Sequence, residues 1–156
     1  MVKRHDAVVR ALATIIYQAT RAETKIEART SNLDRQQQGR TQEGQMDIIV
    51  MNLDGTVHYI DVAIVSPVIA NANHLAAASL RDGYAAKRME AHKYNRYPVR
   101  NLVPFVLELG GRPGPAARKF VSSLFAESDT TKARGIAQVW ATLSSVLQSA
   151  VAGQYK

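Results

Sequence analysis

Cysteine is absent from this chain of 156 residues. No disulfide framework, thiolate zinc site or cysteine nucleophile is therefore available to it. Long apolar runs are missing too: the best candidates are broken by Asp, Asn or Pro, short of the ~20 residues a membrane-spanning helix needs. The first residues, MVKRHDAVV, lack the apolar core of a secretory signal. These absences point to an intracellular, soluble protein. The four histidines (His5, His58, His74 and His92) show neither HxxxH nor HExxH spacing, which speaks against zinc hydrolase chemistry. Gly110-Gly111 with Gly114 lacks the GK[ST] of a phosphate-binding loop and reads as a turn.

Acid is the scarcer charge. Twenty lysines and arginines face thirteen aspartates and glutamates, a formal net charge of +7. Most of that excess is concentrated. Between Arg81 and Lys119 stand Arg81, Lys87, Arg88, Lys93, Arg96, Arg100, Arg112, Arg118 and Lys119, against only Asp82, Glu90 and Glu108. Such a stretch is the footprint expected for a polyanion partner, because each neutralised phosphate releases counterions. It would equally suit a solvated basic helix face. With 46% hydrophobic and 21% charged residues, the chain can bury one core, and its length suits a single domain over residues 1–156.

The apolar spacing outlines the elements. Val8, Val9, Leu12, Ile15 and Ile16 form a helical stripe, so residues 5–21 are expected as an amphipathic helix. Residues 24–30 alternate and suit a short strand, and residues 31–45, polar and without periodicity, suit a mobile loop. The β-branched runs 46–51 and 56–65 flank Asn52-Leu53-Asp54-Gly55, a strong hairpin signal. Ser66-Pro67 ends the second strand. Asn73 could cap a helix running to about Arg96, with Gly83 as a break. Residues 101–109 read as a strand buried on both faces, and Pro115 opens a helix to Leu124. A last helix, 128–153, carries Ile136, Val139, Trp140, Leu143, Val146 and Leu147 toward a core, or toward a homodimer partner if the stripe stays open. Helices and strands interleave around one small mixed sheet, an α/β layer fold.

Two residues stand out. Asp47 and Asp61 each interrupt an apolar β-branched run, where an unpaired carboxylate is costly. A hairpin centred near Leu53-Asp54 sets Asp47 opposite Ile60 or Asp61, so the two carboxylates can lie side by side. They would then need either arginine partners or a divalent cation, and hard oxygen ligands suit Mg²⁺ or Mn²⁺.

A resemblance adds to this reading. Glu23 and Glu27 follow the first helix. After them come Arg40, Met46-Asp47-Ile48-Ile49-Val50, Tyr59-Ile60-Asp61-Val62-Ala63, Lys87, Lys93-Tyr94, and the run from Val103 through Glu108 to Gly110-Gly111. In order and spacing this succession resembles the restriction-like endonuclease domain at the C-terminus of site-specific LINE-type retrotransposon polyproteins. That family belongs to the PD…(D/E)xK nuclease superfamily. The resemblance implies a restriction-endonuclease-like core that hydrolyses DNA phosphodiester bonds with Mg²⁺ (or Mn²⁺). It places metal ligands at Asp47 and Asp61, an extra ligand at Glu23 or Glu27, and a catalytic lysine at Lys93 or Lys87. Arg81, Arg88, Arg96 and Arg112, with Tyr94 interleaved, are the cations and ring expected on DNA. It also implies other domains of a polyprotein as partners, and the nucleus as location if the element is eukaryotic. Two departures count: Met46 stands where the family usually has proline, and Ala63 stands where the superfamily keeps its lysine, so the helix must supply that cation. A catalytically inactive nuclease fold that binds nucleic acid or a protein partner is the alternative.

Overall fold

Helix α1 (Arg4–Thr20) forms where the apolar stripe falls, and buries Val8, Val9, Leu12, Ala13 and Ile16. The computed structural model describes residues 4–29, 45–66, 83–125 and 129–152. The predicted loop over 31–45, apart from Gln45, lies outside the described residues, as do Asn73, Arg81 and the first part of the helix expected there.

After α1, strands β1 (Glu23–Arg29), β2 (Gln45–Met51) and β3 (Val57–Val65) run as an antiparallel meander, and β4 (Leu102–Glu108) joins β3 in parallel. The sheet order is β1-β2-β3-β4. The β2–β3 turn closes with Asn52 and Thr56 facing each other, the Asn52 N–H donating to the Thr56 carbonyl at 2.9 Å. Asp54 steadies the turn by accepting the Thr56 N–H, also at 2.9 Å.

A parallel neighbour demands a crossover, and its described part is α2 (Tyr84–Arg96). Gly83, the predicted break, is the N-cap of α2 and has φ of 74°, a left-handed backbone that glycine adopts without a Cβ clash. The remaining helices are α3 (Pro115–Ser123), with proline in its first turn, and α4 (Asp129–Ala152).

The sheet separates two layers. On one face Ile48, Val50, Ile60, Val62, Phe105 and Leu107 meet α1, α3 and α4 in the main core. Phe105 stacks on Trp140 at 6.1 Å between ring centroids. Val139, Leu143 and Leu147 are buried in the same core, so the stripe of α4 is spent within the chain. A smaller cluster on Ile49, Tyr59 and Leu102 takes in Tyr97 and Val99 from beyond α2. Strand β4 is buried almost throughout, and as an edge strand it tolerates Pro104.

Glu90 ties α2 to α3. It is buried, and its Oε1 accepts the Ala116 N–H at 2.8 Å, capping one of the free amides that begin a helix. Gly114 has no side chain because the Glu90 carboxylate fills the place a Cβ would take. Burial pushes the Glu90 pKa up, while the Ala116 amide and the charges of Arg118 and Lys87 pull it down without cancelling the rise. A carboxyl whose folded pKa is raised costs stability once ionised, so stability falls as pH rises from its ordinary 4.5 through the folded value. Glu90→Gln keeps the acceptor and removes the ionisation. Urea unfolding is expected to show that variant gaining on the parent between pH 4 and pH 7. Glu90→Ala loses about 1–3 kcal/mol at both pH values, the cost of orphaning a buried amide.

Candidate functional site

Strand β2 stays paired with β1 down to Gln45, and β3 stays paired with β4 up to Val65. The ladder between β2 and β3, however, stops at Ile48↔Ile60. The sheet forks there, and the next residues of the two strands at that register are Asp47 and Asp61. In the fork the Val62 N–H donates to Asp47 Oδ2 at 2.7 Å, a side-chain acceptor in place of a strand carbonyl. The Asp61 carboxyl lies within hydrogen-bonding reach of Asp47. The hairpin register thus sets the two acids side by side.

Asp61 is buried, and Lys93 reaches it from α2, with Nζ 2.9 Å from Oδ2. The ammonium supplies charge at ion-pair distance, yet Oδ2 has no directed hydrogen bond. Asp47 meets α1 instead: His5 Nε2 lies 3.1 Å from Asp47 Oδ2, and His5 Nδ1 lies 3.2 Å from Asp6 Oδ1. Burial pushes the Asp47 pKa up and the Asp61 carboxyl adds to the rise, against the Val62 amide and His5. For His5, burial lowers the pKa, but hydrogen bonding to Asp6 and the charge of Asp47 prevail and hold it above its ordinary value.

The other expected residues fall elsewhere. Glu23 is the clear correction. It pairs with Met51, four residues along β2 from Asp47 and so about 13 Å away at the usual strand rise. It forms an ion pair with Lys25 at 3.7 Å, on a different part of the strand from this pair of acids. Glu27 is described by its backbone alone. Its neighbours Ile26 and Ala28 pair with Ile48 and Met46, which puts its register position across from Asp47. Lys87 is exposed, whereas Lys93 meets Asp61. Arg88 lines a hollow of about 340 Å³ with His92, Met89 and Ser66, on the side of α2 toward the end of β3. Tyr94, half-exposed, lines a second hollow with Lys119 and His58. Arg96 lies over the Tyr97 ring at 5.2 Å, and Arg112 is exposed in the turn before α3. A groove of about 580 Å³ between α1 and α4, lined by Arg10, Thr14 and Gln138 among others, contains no acid.

His5 and Asp6 are the site residues that sequence reasoning missed. Nothing in their spacing marks them, because α1 meets β2 only in the folded chain.

Two adjoining carboxylates are donors of the type that suits a divalent cation, and the buried Asp61 Oδ2 is met by the Lys93 ammonium in its place. Among the described residues no three His, Cys, Asp or Glu side chains close into a metal cage. His5, Asp47 and Asp61 follow one another as a string. No protein-family model matches the chain, and no curated protein matches it. Among the described residues no helix is long and apolar enough to cross a membrane.

Proposed function

We propose that this chain is a metal-dependent DNA endonuclease domain of the restriction-like, retrotransposon type, hydrolysing phosphodiester bonds. The observation that carries the reading is Asp61: buried, beside Asp47, with its Oδ2 met by Lys93 Nζ at 2.9 Å and by no directed hydrogen bond. The four-stranded mixed sheet with flanking helices is compatible with a restriction-endonuclease-like core.

In this reading Asp47 and Asp61 hold Mg²⁺ or Mn²⁺. When bound, the cation supplies a more acidic water and charge stabilisation at phosphorus oxygens. Lys93 exchanges its place on Asp61 for the scissile phosphate, where its ammonium offsets the charge that grows during attack. The exposed cations Lys87, Arg88, Arg96, Arg100 and Lys119 hold the DNA backbone beside α2. Ala63, two residues after Asp61, has no cation to offer, so Lys93 is the chain's substitute.

The reading is tested by incubating the purified protein with supercoiled plasmid in Mg²⁺ or Mn²⁺, beside an EDTA control. Nicked circles appearing only with metal are the expected result. Retained DNA with no cleavage under any metal or salt condition overturns the enzyme and leaves a nucleic-acid-binding module of the same fold.

A further inference from the structure

His58 stands three residues before Asp61 on β3, so its side chain leaves the opposite face of the strand. Its tautomer is fixed. The Asn52 side-chain nitrogen lies 2.9 Å from Nδ1, and an amide nitrogen can only donate. Nδ1 therefore accepts, and the neutral ring carries its proton on Nε2. Among the described residues that N–H has no hydrogen-bond partner. His58 borders the hollow of about 300 Å³ that α2 and α3 form beside the start of β4. Tyr94 on α2 makes one wall, and Lys119, Phe120 and Ser123 on α3 make the other. The buried Phe120 ring meets the His58 ring edge-on, with 6.1 Å between centroids. Asn101 donates from Nδ2 to the Val57 carbonyl at 3.1 Å, which leaves its Oδ1 as an acceptor. The Ser123 hydroxyl donates to the Phe120 carbonyl at 2.6 Å and keeps its own lone pairs. The hollow thus joins aromatic surface, a ring N–H, two acceptors and one ammonium, and no acid is among the described residues that line it.

We infer that this hollow takes one unpaired nucleotide of a DNA strand, with its base against the rings of Tyr94 and Phe120 and its phosphate at Lys119. The preferred substrate is then DNA with a single-stranded stretch or branch. The inference rests on the nucleic-acid reading proposed above and names the substrate class. Donors and acceptors together match the edge of a base, which presents both, whereas a bare anion would call for donors alone. A volume at the small end of ligand pockets admits one base and excludes a base pair. Drawing a base out of a duplex costs unstacking and unpairing, a cost that an already unpaired base does not carry. Half-exposed Tyr94 offers its ring for stacking, and the exposed cations Arg96 and Arg100 follow it toward Asn101 to hold the strand's backbone.

The test is fluorescence anisotropy of the intact protein with a labelled blunt duplex and a forked duplex bearing an unpaired thymidine arm. EDTA is present throughout, so neither metal nor cleavage enters the reading. The parent is expected to bind the fork at least ~5-fold more tightly, the low end of what one base–aromatic stack supplies. Charge alone would favour the blunt duplex, whose phosphates are more densely set. Tyr94→Ala is expected to lose the preference while still retaining duplex, and Tyr94→Phe, which keeps the ring, to preserve it. Lys119→Gln should weaken both complexes. With 5-iodouracil in the unpaired arm, irradiation should attach the strand at Tyr94 or Phe120. Equal binding of fork and duplex by the parent, or a preference undiminished in Tyr94→Ala, overturns the pocket. A fork preference without plasmid nicking upholds the pocket and contradicts the enzyme, whereas nicking without the preference does the reverse. No DNA binding by the parent overturns both.

Discussion

Asp61→Asn is expected to slow plasmid nicking by at least ~10²-fold, the scale of losing one major electrostatic stabiliser at a reacting centre. The substitution keeps the shape and one oxygen but removes the charge. Asp61 is the pivot of the site: it adjoins Asp47, it carries the buried oxygen without a directed hydrogen bond, and it receives Lys93 at 2.9 Å. Two opposing effects act on stability. Asn relieves the crowding of two carboxyls, which lowers the cost of ionising Asp47. It also deprives Lys93, only 16% exposed, of its counter-charge. The two offset each other, so circular dichroism should show a folded protein with parental helix content, and DNA retention should persist. Cleavage at the parental rate in Asp61→Asn removes Asp61 from the site.

Lys93→Ala carries the second large effect, again a loss of ~10²-fold or more in single-turnover cleavage. Lys87→Ala should leave the rate within about threefold of the parent and weaken DNA binding modestly, as the loss of one phosphate contact does. The contrast follows from helix geometry. Six residues at about 100° each put the two lysines about 120° apart around α2, and only Lys93 faces β3, while Lys87 is exposed. Without the ammonium, Asp61 keeps a buried charge with no counter-ion. Lys93→Ala is therefore expected to unfold at a lower temperature than the parent in EDTA, and to recover more stability when Mg²⁺ is added. Equal metal-induced shifts in the two proteins would contradict the view that Lys93 and the cation share Asp61.

Much of this site was legible in the chain because it depends on local register. The Asp54-Gly55 turn fixes the pairing of its two strands, and the observed register of Ile48 with Ile60 brings Asp47 level with Asp61. The stripe on the last helix was equally plain, since a 3.6-residue period admits one buried face. What depended on distant contacts was not legible. The choice between Glu23 and Glu27 turned on how β1 pairs with β2, and the polar stretch between those strands has no period from which a register could be read. The pairing of Glu23 with Met51 decides against Glu23. The fork between β2 and β3 leaves no mark in either strand's alternation, because each strand keeps a partner on its other side. His5 reaches Asp47 across 42 positions of sequence, and Glu90 caps α3 across 26; a charge run read along one helix hides such a buried acid.

The central claim is that two strand carboxylates and one helix lysine form a single phosphodiesterase centre, with the lysine displaced from its usual strand position. The measurement that tests it most directly is the plasmid-nicking rate of the double variant Ala63→Lys/Lys93→Ala beside Lys93→Ala and the parent, in one metal buffer. Residue 63 lies two positions beyond Asp61 on β3, hence on the same face of the strand. Returning the cation to the strand is predicted to restore part of the metal-dependent nicking that Lys93→Ala lacks. A folded, DNA-retaining double variant no faster than Lys93→Ala, or a Lys93→Ala protein that cuts as well as the parent, would contradict a shared centre.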